Sequence, residues 1–120
     1  MATILIVEDE FFIRQTAEFT IEDLGHDILL AGDVEQALAH LSSPQHIDAL
    51  FVDLRLTAAP LGGCEVADQA VKLRPHLRVL YTSGTPLTED ISGLFVAGGR
   101  FLQKPYSPDQ LEDSVGMLLQ

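Results

Sequence analysis

Five short segments of the chain are rich in apolar, β-branched or aromatic residues, the composition of β-strands. They are Thr3 to Val7, Asp27 to Ala31, Ala49 to Asp53, Arg78 to Thr82 and Arg100 to Gln103. The first, third and fourth are nearly continuous in apolar character, whereas a strand with one exposed face would alternate. Continuous apolar strands are typical of a parallel sheet that is covered by helices on both faces.

Apolar residues at helical spacing lie between these segments and after the last one. The three clear stripes are Ile13, Ala17, Ile21 and Leu24; Val34, Ala37, Leu38 and Leu41; and Leu111, Val115 and Leu118. Two weaker stripes are Val66, Ala67, Ala70 and Val71, before Pro75, and Ile91, Leu94 and Phe95, before Gly98-Gly99. The pattern therefore predicts five helices that alternate with the five strands.

Residues typical of helix ends support these boundaries. Asp33 stands three residues before Gln36, and Ser107-Pro108-Asp109-Gln110 combines an N-cap residue, a proline at the first helical position and a capping-box glutamine. Gly25 is well placed to end the first helix. Because parallel neighbours need helical crossovers, the alternation predicts a doubly wound α/β domain over residues 1–120, with no linker or second domain after the last helix.

Composition and charge narrow the possible partners. Eighteen acidic against seven basic residues give a formal net charge of -11, which repels nucleic-acid phosphates and anionic lipid surfaces. Cys64 is the only cysteine, and the apolar first strand lacks the basic leader of a signal peptide. These features predict a cytoplasmic protein that binds neither nucleic acid nor membrane. The four histidines lack metal-ligand spacing and are interpreted as solvent-facing; they are His26, His40, His46 and His76.

Polar side chains that could bind a metal or take part in a reaction lie at or just after the carboxyl ends of four predicted strands. Glu8 and Asp9 follow the first strand, Asp53 ends the third, Thr82 ends the fourth, and Lys104 follows the fifth. In open α/β sheets, ligand groups gather beyond the carboxyl ends of the strands, near the point where the strand order reverses. We therefore expect these groups at one edge of the sheet.

A strand order of 2-1-3-4-5 would bring Glu8, Asp9 and Asp53 together, because the first and third strands would be neighbours. A cation or protons must relieve the repulsion among three carboxylates, and hard oxygen ligands suit Mg²⁺. A carboxylate can also act as a nucleophile that forms an aspartyl phosphate. Since the chain has no glycine-rich nucleotide-binding motif, we expect the phosphoryl donor to arrive on another molecule.

Four motifs of the chain together resemble the receiver domain of bacterial response regulators. They are Ile6-Val7-Glu8-Asp9-Glu10, Val52-Asp53-Leu54, Tyr81-Thr82-Ser83-Gly84 and Phe101-Leu102-Gln103-Lys104-Pro105-Tyr106. Each motif is weak alone, but all four occur in order at predicted strand ends, and the resemblance covers the whole chain. It implies a flavodoxin-like (βα)5 fold and a role in two-component signalling.

The resemblance implies a role for each acidic residue of the cluster. Asp53 would be the phosphoacceptor, Asp9 a direct Mg²⁺ ligand, and Glu8 an acidic partner that acts largely through water. The backbone carbonyl of Arg55 would be a third protein ligand of the metal. The chain would assist its own phosphorylation and dephosphorylation without being an enzyme in the ordinary sense.

The resemblance also implies how the signal leaves the site. Thr82 would bind the phosphoryl oxygens and move on activation, Lys104 would pair with acidic and phosphoryl charge, and Phe101 would be the aromatic switch. Lys104-Pro105 is predicted to be a cis peptide. The implied partners are a sensor histidine kinase or a histidine phosphotransfer protein, and a downstream protein that binds the face formed by the fourth helix, fifth strand and last helix.

The chain departs from the family pattern in two places. The proline and glycine that usually follow the phosphoacceptor closely are displaced here within the segment Thr57 to Gly63, which predicts a longer loop. The acidic pair is Glu8-Asp9, where two aspartates are common, so the longer glutamate is expected to reach the metal differently.

Two other functions share some of these residues. A haloacid-dehalogenase-like phosphatase also uses a strand-end aspartate and Mg²⁺, but it needs a second aspartate two residues later, where this chain has Arg55. A degenerate receiver would serve only as an unphosphorylated docking module, and the presence of Asp53, Thr82 and Lys104 argues against it. The sequence favours a single-domain response regulator, or a phosphoryl carrier of the same class.

Overall fold

Five strands and five helices alternate in the computed structural model, which describes all 120 residues. The strands are β1 (Thr3–Val7), β2 (Asp27–Ala31), β3 (Ala49–Asp53), β4 (Arg78–Ser83) and β5 (Arg100–Gln103). The helices are α1 (Phe11–Asp23), α2 (Val34–Leu41), α3 (Gly62–Leu73), α4 (Glu89–Ser92) and α5 (Pro108–Leu118). All strand pairs are parallel, in the order β2-β1-β3-β4-β5, which confirms the predicted fold.

The sheet separates two apolar cores, as the continuous apolar strands predicted. One core of 17 buried residues contains Leu5, Leu50 and Val79 from the strands and packs them against α2 and α3. The other core of 10 buried residues packs Ile6 and Phe51 against α1 and α5. Because both faces of the sheet are packed against helices, the backbone positions at its carboxyl edge are well defined.

The strand register determines which residues meet at that edge. Val7 is the β1 partner of Val52 on β3, so Glu8 and Asp53 follow at the same level. Asp53 is in turn the register partner of Thr82 on β4. Glu8, Asp53 and Thr82 therefore lie at the carboxyl ends of three neighbouring strands, as the sequence predicted.

Most of the predicted helix ends are confirmed. Ser107 and Gln110 form a full capping box at the start of α5, where Pro108 occupies the first turn. The Asp33 side chain accepts a hydrogen bond from the backbone N–H of Gln36 at 2.8 Å and caps α2. Gly25 follows α1 with φ of 94°, a conformation that favours glycine.

The stripe predicted for α4 is the least accurate helix prediction. The helix is a single turn that begins after the Thr88 N-cap and ends at the Gly93 C-cap, so Leu94 and Phe95 lie outside it. One turn makes few helical hydrogen bonds, and the Phe95 ring instead stacks on Tyr81 of β4. Leu24 is likewise the C-cap of α1 and is 39% exposed, so it does not belong to the buried stripe.

Two histidines contradict the interpretation that all four face solvent. His26 and His40 are half-buried, while His46 and His76 are exposed. The His26 Nδ1 atom accepts a hydrogen bond of 3.1 Å from the backbone N–H of Ala2, and His40 Nε2 lies 2.9 Å from the Leu30 carbonyl oxygen. Both rings are drawn inward because they satisfy backbone groups that the sheet leaves unpaired.

Candidate functional site

Three carboxylates meet where β1 and β3 end. Oxygen atoms of Glu8, Asp9 and Asp53 lie within 4.8 Å of one another. Glu8 is 4% exposed and Asp53 is 6% exposed, whereas Asp9 is half-buried. Because charged carboxylates are rarely buried without compensation, this cluster requires positive charge, protons or both.

Lys104 supplies part of that positive charge. Its ammonium nitrogen lies 2.6 Å from Glu8 Oε1 and 2.9 Å from Asp53 Oδ2. Burial opposes the charged form of the lysine, but the two carboxylates outweigh this effect and raise the pKa of Lys104. The peptide bond between Lys104 and Pro105 is cis, as predicted.

Glu8 remains incompletely compensated. Burial raises the pKa of Glu8 to about 7, although the nearby Lys104 ammonium favours the charged form. Its buried Oε1 atom is close to this ammonium but accepts no aligned hydrogen bond, while Oε2 accepts one from the backbone N–H of Glu10 at 3.2 Å. An under-coordinated buried oxygen among hard oxygen atoms is the donor chemistry that suits Mg²⁺.

Asp53 has a fixed orientation. Its Oδ1 atom accepts a hydrogen bond of 3.2 Å from the backbone N–H of Arg55, and Oδ2 accepts one from Lys104. The start of α3 packs tightly behind it, since a Cβ atom at Gly63 would lie 2.2 Å from the Asp53 carbonyl oxygen. The phosphoacceptor candidate is therefore held both at its carboxylate and at its backbone.

Asp9 has a different partner from the other two acids. The Thr57 hydroxyl, in the loop between β3 and α3, donates a hydrogen bond to Asp9 Oδ2. Burial raises the pKa of Asp9, but hydrogen bonds, first of all the one from the Thr57 hydroxyl, outweigh burial, so its pKa lies below the usual value. This carboxyl is therefore ionised at neutral pH.

An aromatic stack lies near the site and includes Tyr81, the residue before Thr82 on β4. Phe95 stacks on Tyr81 with ring centroids 4.0 Å apart, and its centroid lies 6.2 Å from that of Phe101. The Tyr81 hydroxyl accepts a hydrogen bond of 3.0 Å from the backbone N–H of Val96. The half-buried Phe101 is thus in contact with the segment between α4 and β5.

Comparison with known families identifies this arrangement. A family model described as "Response regulator receiver domain" matches residues 4–116. The chain belongs to the response regulator receiver domain family. Receiver domains are phosphoacceptor signalling domains of two-component systems, and phosphorylation and Mg²⁺ binding are typical of them.

Curated relatives of this receiver domain are longer regulators. It is 35% identical over 109 residues to the alginate biosynthesis transcriptional regulatory protein AlgB of Pseudomonas aeruginosa, covering 90% of this chain and 24% of that protein. It is 28% identical over 116 residues to the probable transcriptional regulator ycf27 of Porphyridium aerugineum, covering 97% of this chain and 47% of that protein. The chain thus spans about half or less of the length of these relatives.

Solved structures give the same fold. A response regulator receiver protein from Sinorhizobium medicae has a TM-score of 0.89 and 29% sequence identity, with coverage of 98% of this chain and 94% of that one. In this receiver domain, none of the helices has the length and apolar character required to cross a membrane.

The structure brings together most of the predicted site residues. Glu8, Asp9, Asp53 and Lys104 form one cluster, whereas the Thr82 hydroxyl donates a hydrogen bond to the Leu102 carbonyl oxygen on β5. Sequence reasoning missed the contacts of Thr57, Gly63 and Phe95. The displaced loop is a signal for Thr57 and Gly63, whereas the helical spacing of Phe95 gives no indication of its place in the stack.

Proposed function

We propose that this receiver domain accepts a phosphoryl group on Asp53 from the phosphohistidine of a histidine kinase or a histidine phosphotransfer protein. The observation that carries the proposal is the buried carboxylate of Asp53 at the end of β3, held between the Lys104 ammonium and two further acids. Buried ionisable groups with specific charge partners cluster at functional sites, so this arrangement favours a reactive role for Asp53.

The proposed transfer follows from the orientation of Asp53. A carboxylate oxygen forms a bond to phosphorus while the bond from phosphorus to the histidine nitrogen breaks, and that nitrogen keeps the electron pair. The Arg55 N–H and the Lys104 ammonium hold the two oxygens of Asp53 before the reaction. Fixed donors of this kind need no rearrangement when charge develops, and the ammonium is well placed to compensate the phosphoryl oxygens.

Glu8, Asp9, Asp53 and the backbone carbonyl of Arg55 are the groups proposed to hold Mg²⁺. The buried Glu8 Oε1 atom, which lacks an aligned donor, supports this assignment, as does the clustering of carboxylate oxygens within 4.8 Å. When bound, Mg²⁺ supplies positive charge for the phosphoryl oxygens and relieves the repulsion among the carboxylates. Asp9, whose carboxyl stays ionised, is the proposed direct ligand, and Glu8 acts largely through water.

Thr82 and Phe101 are proposed to transmit the phosphorylation of Asp53. The Thr82 hydroxyl is directed toward β5 in this structure, so binding a phosphoryl oxygen requires it to leave the Leu102 carbonyl. That movement would alter the space beside β4, which Phe101 borders together with Phe95. The face formed by α4, β5 and α5 would then change shape and be recognised by a downstream protein.

The face next to the site supports a protein as the phosphoryl donor. Phe11 and Phe12, at the start of α1, are 55% and 74% exposed, and Phe12 borders a shallow pocket together with Lys104 and Tyr106. Exposed aromatic residues beside a reactive group are typical of protein contact surfaces. We place this exchange in the cytoplasm, with residues 1–120 acting as one domain that assists its own phosphorylation and dephosphorylation.

Phosphotransfer from a purified, radiolabelled histidine kinase tests the proposal. We expect label to move to the chain in the presence of Mg²⁺, to remain as about one labile phosphoryl group per chain, and to require Asp53. Steady release of phosphate from many small phosphate esters would instead indicate a phosphatase. The absence of any label with every donor, acetyl phosphate included, would indicate an unphosphorylated docking domain.

A further inference from the structure

The loop that follows Asp53 is held in a tight turn. Leu56 and Ala59 form an isolated antiparallel bridge, in which each backbone N–H donates to the carbonyl oxygen of the other, at 3.1 and 2.8 Å. Thr57 and Ala58 are the two residues at the tip of this turn. The buried Leu56 side chain attaches the turn to the core, so Thr57 is presented from a fixed backbone although it is exposed.

The hydroxyl at this tip is the only side-chain hydrogen-bond donor that contacts Asp9 across the site. Thr57 Oγ1 donates to Asp9 Oδ2, whereas Glu8 and Asp53 are both paired with Lys104. Asp9 lies just beyond β1, before α1 begins, and is half-buried. Without the Thr57 hydroxyl, the Asp9 carboxylate would lose the side-chain contact that directs it toward the loop after β3.

We propose that Thr57 is a positioning residue that holds the Asp9 carboxylate in the orientation needed to bind Mg²⁺. This inference rests on the proposed function, because it takes Asp9 to be a metal ligand. The hydroxyl occupies one lone pair of Oδ2, and the remaining lone pairs of the carboxylate stay available to a cation. Thr57 therefore supports the metal ligand and does not compete with the metal.

The size of the effect follows from the general behaviour of such partners. Residues that orient a metal-ligating carboxylate typically contribute about 10- to 100-fold to metal affinity. Thr57 is exposed to water, so we expect the lower end of this range. The displaced loop, which departs from the family pattern, thus supplies a contact on which the metal site of this chain depends.

Isothermal titration of the purified 120-residue chain with MgCl₂ tests the proposal in four proteins: wild type, Thr57→Val, Thr57→Ser and Thr20→Val. Valine keeps the shape of threonine without the hydroxyl, and serine keeps the hydroxyl. Thr20 on α1 has no hydrogen bond through its side chain and is remote from the site in the fold, so it is the matched control. A thermal melt without metal shows whether each variant remains folded.

We expect Thr57→Val to bind Mg²⁺ about 10-fold more weakly, with an unchanged melting temperature in the absence of metal. Thr57→Ser and Thr20→Val should bind within about twofold of wild type. Equal or tighter Mg²⁺ binding by Thr57→Val, or weak binding by Thr57→Ser, would overturn the proposed role of Thr57. Either result would leave the proposed metal site itself standing. If wild type itself bound no Mg²⁺, the proposed metal site would be wrong, and the role of Thr57 with it.

Discussion

Thr82 on β4 donates its side-chain hydroxyl to the backbone carbonyl of Leu102, its register partner on β5, at 2.7 Å. The hydroxyl belongs to a residue that is 2% exposed, so the bond is shielded from water. It links the strand next to Asp53 with the strand that carries Phe101. If the Thr82 hydroxyl left this carbonyl to bind a phosphoryl oxygen, phosphorylation of Asp53 would be coupled to the position of β5.

Replacing Thr82 tests this connection. We expect Thr82→Ala to be phosphorylated, because Asp53, Lys104 and the carboxylate cluster are retained. The shape of the output face should no longer follow phosphorylation, since the hydroxyl that exchanges partners is missing. NMR shifts of Leu94, Phe95, Phe101 and Tyr106, recorded with and without a phosphoryl mimic, give the measurement.

Thr82→Ser is the control for this variant, since it keeps the hydroxyl and should keep most of the shift pattern. Loss of one buried hydrogen bond should cost Thr82→Ala about 1 kcal/mol, which leaves the domain folded. A full wild-type shift pattern in Thr82→Ala would show that the coupling runs through other residues.

The Asp9→Asn variant examines the metal site. We expect weaker Mg²⁺ binding and slower phosphorylation, because an amide oxygen carries no full negative charge. Without metal, the variant should stay folded but be somewhat less stable than wild type at neutral pH, because the lowered pKa of Asp9 means that the fold favours its ionised form. A Mg²⁺ titration and a melt in a metal chelator check the two halves. Unchanged Mg²⁺ affinity would exclude Asp9 as a ligand.

Glu8 should make the stability of the metal-free domain depend on pH. Because burial raises its pKa from 4.5 to about 7, the folded state binds a proton that the unfolded state has already released between these values. Its contribution is complete below pH 4.5 and is lost as the pH rises to about 7. The loss should be on the order of 3 kcal/mol, given about 1.4 kcal/mol per pKa unit.

Glu8→Gln isolates this contribution, since the amide keeps the shape of the side chain but does not titrate. Denaturant unfolding of both proteins in a chelator, from pH 4.5 to pH 8, should show a decline in wild type that is much smaller in the variant. Parallel curves would mean that another group causes the decline and that Glu8 is already ionised at low pH.

Gly63 should be intolerant of any side chain. A Cβ atom there would lie 2.2 Å from the Asp53 carbonyl oxygen and 2.7 Å from Leu54 Cα, and neither backbone atom can move without displacing β3. We expect Gly63→Ala to lose roughly 3 kcal/mol or more of unfolding free energy. Gly116→Ala in α5 meets no atom within 4 Å and should gain about 0.5–1 kcal/mol. Denaturant melts of both variants decide whether this close approach constrains the site.

The sequence predicted the parts of the molecule that depend on local patterns. Strands such as Ala49–Asp53 could be delimited because apolar runs end at charged residues, and the capping box of α5 has a residue signature. The convergence of Glu8, Asp9 and Asp53 followed from strand order, which the alternation of elements restricts strongly.

Contacts that depend on side-chain direction or loop shape could not be predicted in this way. The hydrogen bond between Thr57 and Asp9 joins residues 48 positions apart through a loop that departs from the family pattern. Thr82 lies between β3 and β5, and no residue pattern determines toward which of these strands its hydroxyl is directed. Phe95 lies outside α4, contrary to the prediction, because stacking on Tyr81 outweighs the weak tendency of a single turn to extend.

Intact-protein mass spectrometry after incubation with acetyl phosphate and MgCl₂ tests whether Asp53 is the phosphoacceptor. We predict one added phosphoryl group on wild type and on Asp113→Asn, which removes an exposed acid of α5, and none on Asp53→Asn, because an amide cannot form an acyl phosphate. Reduction with borohydride should then mark residue 53 alone in the wild-type peptides. Equal labelling of Asp53→Asn and wild type would exclude Asp53 as the phosphoacceptor, since the nucleophile would have to be another residue.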